Sequence, residues 1–364
     1  MLDLLRDSIT GTEIVRLTSE RSVQHHIAGP CVTPDEKWLV FVTHETGAPN
    51  LAAMELSSGD VRILTLRRDL NERSAAITRD GLAVVFSARD AVWAVTIGDG
   101  AETEIAQFSG ARVRHLAVSP DGRAIAAGVA EGTWNRIVEV DVYDGRIRTV
   151  LETAGPVGRL EYEPSGSRIL FAGDAASGIQ VVDREGGPPR VAYHSVEGEW
   201  VTHATWVPPG AVAFVKLHDG LYLSEVETTP RCLFKGPIWH AAARRDGRLF
   251  ACDTNAPDIG IVLVSPATGA WKVLCHPRSS NRGTQWFEPL PAPEEEDATA
   301  FPLPGTQPDG TETRYGPVWT HPIPSFHPDG RSVFYGSDAT GVPQIYRAFI
   351  PDAWLEELEG RPYS

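Results

Sequence analysis

Residues 113–142 read VRHLAVSPDGRAIAAGVAEGTWNRIVEVDV. An apolar run ends at the turn Pro120-Asp121-Gly122, a hydrophobic strand follows, and a second strand, Arg136 to Val142, comes after it. The unit recurs along the chain, with turns at Pro34-Asp35-Glu36, Arg79-Asp80-Gly81, Pro120-Asp121-Gly122, Pro164-Ser165-Gly166, Pro208-Pro209-Gly210, Arg245-Asp246-Gly247 and Pro328-Asp329-Gly330. Their last residues are 45, 41, 44, 44, 37 and 83 residues apart, against roughly 40 to 50 residues per blade in four-stranded propeller repeats. The interval of 83 is one blade plus an insertion. Strands such as Trp38 to Thr43, Leu82 to Ser87 and Ser332 to Gly336 follow the turns, and closing strands such as Gly59 to Thr65 end the units. Four strands repeated seven times predict an all-β fold, a seven-bladed β-propeller.

The last unit stops after its third strand, Gln344 to Ile350. The missing fourth is expected from the N-terminus, where Gly11 to Thr18 copies the pattern of Gly59 to Thr65. Such a closure removes the open sheet edge, and residues 1–364 are read as a single propeller domain. The exception is the Pro-rich, acidic insertion 283–317 between blades six and seven, with Glu294-Glu295-Glu296-Asp297 at its centre. It is either a lid or a plain insertion.

The chain of 364 residues carries 48 acidic and 33 basic side chains, a formal charge of −15. That field repels a phosphate backbone and argues against nucleic acid as a partner. No run of about 18 apolar residues marks a membrane span, and no signal peptide is evident. Cys31, Cys232, Cys252 and Cys275 form no C-x-x-C pair, which fits a reducing, cytoplasmic location. The sequence has no G-x-S-x-G elbow, Walker loop or dinucleotide fingerprint.

Strand side chains alternate, so one register of each inner strand is expected to face the central channel. Counting seven residues back from each marker gives Gly29, Ser74, His115, Arg159, His203, His240 and Ile323. Three imidazoles and a guanidinium share this register. They read either as a ring able to hold a divalent metal or an acidic sugar, or as polar channel residues bonded to neighbouring blades. Trp38, Trp93 and Trp271 lie in strand patterns and read as packing between blades, whereas Trp286 and Trp319, near the ends of the insertion, are candidates for stacking on a sugar.

The run Thr320-His321-Pro322-Ile323-Pro324-Ser325-Phe326-His327-Pro328-Asp329-Gly330, followed by Val333 to Asp338, resembles the last blade of oligogalacturonate lyases. Thr202-His203-Ala204-Thr205-Trp206-Val207-Pro208 resembles the same family's fifth-blade strand, and Thr10 to Thr18 its N-terminus. The resemblance spans essentially the whole chain. It implies a seven-bladed propeller that cleaves short pectic oligomers by β-elimination, with manganese held by three histidines and a glutamine. Under it, His240 and His321 fall on two metal positions and His203 on the catalytic base. The chain departs from the family at Ile323, where a histidine is expected, at Val318, where the glutamine is expected, and at Gly178, where an arginine near the leaving group is expected. Manganese or another divalent metal is therefore expected to bind weakly or not at all, unless water, His276 or Gln285 completes the site.

Two functions remain open on these residues. One is a carbon–oxygen lyase acting on short or unsaturated uronate oligosaccharides, with His203 as base, Arg159 as carboxylate clamp, His115, Trp286 and Trp319 against the sugar, and His240, His321 and His276 as metal ligands. The other is a non-catalytic propeller that binds an acidic sugar or a protein at the channel mouth. Arg159 itself is either that clamp or a channel arginine paired with Glu161 or Glu72.

Overall fold

The computed structural model describes residues 3–18, 24–25 (backbone only), 31–43, 45–46, 48–172, 178–255, 257–279, 321–340 and 343–360. Six four-stranded antiparallel sheets and one five-stranded sheet follow one another in chain order, which makes the molecule a seven-bladed β-propeller. Five of the seven repeat turns, at Asp35, Asp80, Asp121, Asp246 and Asp329, share one construction, an Asp Oδ1 that accepts the N–H two residues on. In blade three the Ser119 hydroxyl donates to Asp121 Oδ1 (2.6 Å), the same oxygen accepts the Arg123 N–H (3.0 Å), and Gly122 turns at φ 71°. Thr78 and Asp80 repeat the arrangement in blade two. A side-chain oxygen that satisfies turn N–H groups explains why Asp recurs, and the positive φ explains Gly.

The apolar core is divided among the joints between blades. Val40, Val42, Val84 and Phe86 pack blade one on blade two, Val207, Val215, Phe250 and Cys252 pack five on six, and Leu39, Phe41, Phe334 and Ile345 pack seven on one. Strands buried on both faces read as near-continuous apolar runs, as Val212 to Val215 does. Trp38 and Trp93 pack at the first of these joints. Trp271 stays half-exposed, its ring 5.2 Å from that of Phe234 in blade five.

The N-terminal strand closes the ring as the sequence pattern requires. Ile14, Val15 and Arg16 pair with Ala348, Arg347 and Tyr346. Thr18 fastens the joint: its hydroxyl donates to Gln344 Oε1 (2.7 Å) and accepts the Ile345 N–H (2.9 Å). Two elements lie outside the four-strand repeat. Asp3–Arg6 adds a fifth strand beyond Glu13–Arg16, because the turn at Gly11 (φ 76°) folds the preceding residues back on it. Asp352–Glu359 is a helix whose Leu355 and Leu358 are buried against blades six and seven. The N-terminal segment also grips blade six. Thr10 and Thr12 hydroxyls both donate to the Leu274 carbonyl (2.9 and 2.6 Å), and the His276 N–H donates to Asp7 (2.8 Å). The insertion 283–317 lies outside the described residues.

Removing residues 1–18 takes away Ile14 and Leu17, both buried, whose burial is worth roughly 3–6 kcal/mol together, a large part of a typical domain's net stability. It also uncovers the edge at Tyr346–Ala348. The truncated chain is expected to aggregate, as read by size-exclusion chromatography. A monodisperse truncation with unchanged melting temperature would refute closure by this strand.

Candidate active site in the channel

Simple alternation along the inner strands does not by itself aim the histidines. Each of three inner strands carries one extra residue relative to its partner, within a two-residue segment that contains a histidine. The register slips between Val113 and Leu116 in blade three, Thr202 and Thr205 in blade five, and Ile238 and Ala241 in blade six. These β-bulges contain His115, His203 and His240, and a bulge re-aims the side chain it carries. His203 adopts φ 52°, a left-handed conformation that histidine tolerates better than most residues but that still marks local strain. In blade two the same register position is Ser74, which is buried and whose hydroxyl donates to the Asn71 carbonyl (2.7 Å). Gly29 lies outside the described residues.

Three imidazoles come together from blades five, six and seven. The ring of His203 lies edge-on to that of His240 with centroids 4.3 Å apart, and His240 and His321 are 5.4 Å apart. Trp239, buried beside them, sets its ring 4.2 Å from His321. Behind the group stands Asp253, from the second strand of blade six (Phe250–Thr254). Its Oδ1 accepts the backbone N–H of His240 (2.7 Å), while Oδ2 accepts that of Ile323 (3.0 Å) and is 2.8 Å from His240 Nδ1. Burial raises the Asp253 carboxyl above the usual carboxylate range, against the neighbouring His321 and the two N–H donors, which lower it. Ile323 reaches its donor position at φ 43°, a costly conformation for a β-branched residue.

Arg159 stands just before the short inner strand of blade four (Leu160–Tyr162), with Nη2 3.8 Å from Glu161. Glu161 is shared with blade five, where its Oε1 accepts the Thr205 hydroxyl (3.0 Å) and the Trp206 N–H (3.2 Å). Burial and the cations Arg73, Arg159 and Arg114 push His115 down to about 4. Burial, then His240 and Arg159, hold His203 well below 6.5, with Asp253 pulling the other way. Burial and His240 push His321 down to about 3. His115, His203 and His321 are therefore uncharged at neutral pH.

His276 does not join this group. It follows the outermost strand of blade six, and its Nδ1 lies 3.5 Å from Asp7, the carboxylate that already accepts its N–H. Trp286, Trp319, Val318 and Gln285 lie outside the described residues. At Gly178 (φ 69°) a Cβ would stand 2.1 Å from the Tyr193 carbonyl oxygen, so this backbone admits no arginine there.

Whether these residues suit manganese is decided by their donors. The imidazoles of His240 and His321 are suitable ligand types, and a carboxylate on Nδ1 is a common companion of a metal-bound histidine. The third expected donor is missing, because Ile323 brings an apolar side chain and has its N–H committed to Asp253. Among the described residues no three His, Cys, Asp or Glu side chains are arranged to hold a metal ion. The described donor set does not fit manganese, which favours several oxygen or nitrogen ligands in octahedral array.

No family model matches the chain. The architecture is that of a seven-bladed propeller of the kind found in oligogalacturonate lyases. Over 96% of its length the chain is 22% identical to an oligogalacturonide lyase from Pectobacterium atrosepticum, of which 96% is covered. It superposes on an oligogalacturonate lyase in complex with manganese with a TM-score of 0.79 at 21% identity, covering 97% of each chain. An oligogalacturonate lyase from Vibrio parahaemolyticus gives the same TM-score at 20% identity, over 97% of this chain and 98% of that one. The resemblance read from the blade strands thus extends over the whole chain.

Sequence reasoning missed Asp253 and Trp239. Asp253 had a signal, an acid inside the otherwise apolar strand Phe-Ala-Cys-Asp-Thr, while Trp239 could have been found as the residue beside a register histidine.

Two outcomes follow. The unfolded chain protonates His115 near 6.5 and the folded chain near 4, so this group's contribution is full above 6.5 and is lost as pH falls through that window. Urea midpoints measured from pH 7 to 4 should fall less steeply in His115→Gln than in the wild type, and equal slopes would contradict a neutral His115. Ile323→His should supply a third imidazole and bind manganese at least about tenfold more tightly than the wild type by calorimetry. No gain would mean that His240 and His321 do not flank position 323 as ligands.

Proposed function

We propose that the channel site acts on short uronate oligosaccharides by β-elimination. The observation that carries this reading is the uncharged His203 beside His240, with the charge of Arg159 acting on it. Full-length similarity to an oligogalacturonide lyase supports the same reaction class. In β-elimination the bond between hydrogen and the carbon α to the carboxylate breaks, and its electron pair forms a carbon–carbon double bond. The C–O bond to the leaving sugar then breaks, and that oxygen takes up a proton. His203 would receive the first proton, since its ring is already deprotonated at neutral pH. Arg159 would neutralise the substrate carboxylate and so acidify that hydrogen. An entering carboxylate also raises the proton affinity of the nearby imidazole, because its charge stabilises the imidazolium.

The substrate is anionic and the chain carries a formal charge of −15, so binding depends on local cations. Arg73, Arg114 and Arg159, the three whose charges act on His115, supply them at the channel. Among the described residues no helix is long and apolar enough to cross a membrane. A second reading, non-catalytic binding of an acidic sugar, draws on Ile323 and Gly178, which stand where the lyase resemblance places functional side chains.

Purified protein incubated with di- and trigalacturonate should accumulate unsaturated uronate product, followed by absorbance. His203→Asn should lower kcat by about 10²- to 10⁴-fold, and Arg159→Met should lower kcat/KM by about 10- to 100-fold, the loss of one charge-assisted contact. Sugar binding in calorimetry without any product would favour the second reading. Neither binding nor product would overturn both.

A further inference from the structure

Asp253 is a buried carboxylate, 2% exposed, in the strand next to the one that carries His240. Its donors come from two blades: the backbone and ring of His240 in blade six, and the N–H of Ile323 in blade seven. The segment holding Ile323 also carries His321, and the Gly336 N–H bonded to the Pro322 carbonyl (2.8 Å) ties it to its own blade. One carboxylate therefore fixes the ring of His240 and the approach of His321 at once. In a metal-ligated imidazole cluster the cation does this organising. Here the hydrogen bonds run through an anion, and the position where the lyase resemblance expects a ligand side chain contributes its backbone instead.

We propose that Asp253 is the positioning residue of the channel site, holding His240 as the Nδ1–H tautomer and pinning the His321 segment to blade six in place of a resident cation. The two backbone donors aimed at its oxygens leave Oδ2 as an acceptor toward Nδ1, so the His240 ring carries its proton on Nδ1. The left-handed backbone of Ile323 is the strain that delivers its N–H to this oxygen. The kinetic part of the proposal rests on the elimination reading, whereas the tautomer and the pinning do not.

The test uses the full chain, labelled with ¹⁵N-histidine and treated with EDTA, with His240 assigned by its disappearance in His240→Gln. The wild type should show His240 as the Nδ1–H tautomer with a slowly exchanging ring proton, unchanged when one equivalent of manganese is added. Asp253→Ala should lose that signature and, in the elimination assay, lower kcat by roughly 10- to 100-fold with KM within about threefold. If that variant does not fold, the isosteric Asp253→Asn reads the same two quantities. An Nε2–H tautomer in the wild type would overturn the proposal, as would a signature indifferent to Asp253. Stoichiometric broadening of the His240 and His321 signals by manganese would overturn it too, since a cation would then be the organiser. The expected tautomer in a protein that forms no unsaturated product would uphold the positioning role and refute the reaction.

Discussion

The backbone pairing of Ile14–Arg16 with Tyr346–Ala348 is the constraint on which the rest of the molecule depends. A seven-bladed ring has no central core to hold it; its apolar surface is spent at the joints between neighbouring blades, so a ring left open at one joint loses that joint's burial and exposes a sheet edge. In the closed ring the inner strands of blades five, six and seven bring His203, His240 and His321 together although 118 residues separate the first from the last. The site is thus a property of the circle and not of any single blade.

Charge explains how such a site persists. Burying a neutral imidazole costs less than burying an imidazolium ion, and the arginines on the side of blades two to four reinforce the uncharged state of His115 and His203. Asp253 is the opposite charge set behind the cluster. Its hydrogen bonds to two backbone N–H groups make the buried carboxylate tolerable, since a buried charge is kept only when paired or well bonded.

The blade repeat was legible because most of its turns share one chemistry: an Asp oxygen accepts a turn N–H group in five of the seven, and Gly takes the left-handed corner in most. The closing strand was legible for the same reason, as a copy of another blade's edge. The fifth strand Asp3–Arg6 and the helix Asp352–Glu359 belong to no repeat, and their pairing with Glu13–Arg16 and their burial at Leu355 and Leu358 are tertiary facts. At the site, counting back from the turns picked out His115, His203 and His240, but the bulges that aim them leave no mark in composition. Asp253 and the N–H of Ile323 meet across 70 residues, and a contact between a side chain and a distant backbone group leaves no trace in a single sequence.

The bulges have a consequence for how such a channel changes over time. Because His115, His203 and His240 each ride in a segment with one residue more than its partner strand, losing one residue there restores a regular ladder, leaving the blade intact while withdrawing a channel side chain. Gaining one elsewhere does the reverse. The inner strands of this propeller can thus acquire or discard site residues by single-codon insertion and deletion, and an alignment scored on substitutions alone would register such a change as a gap in a conserved-looking blade.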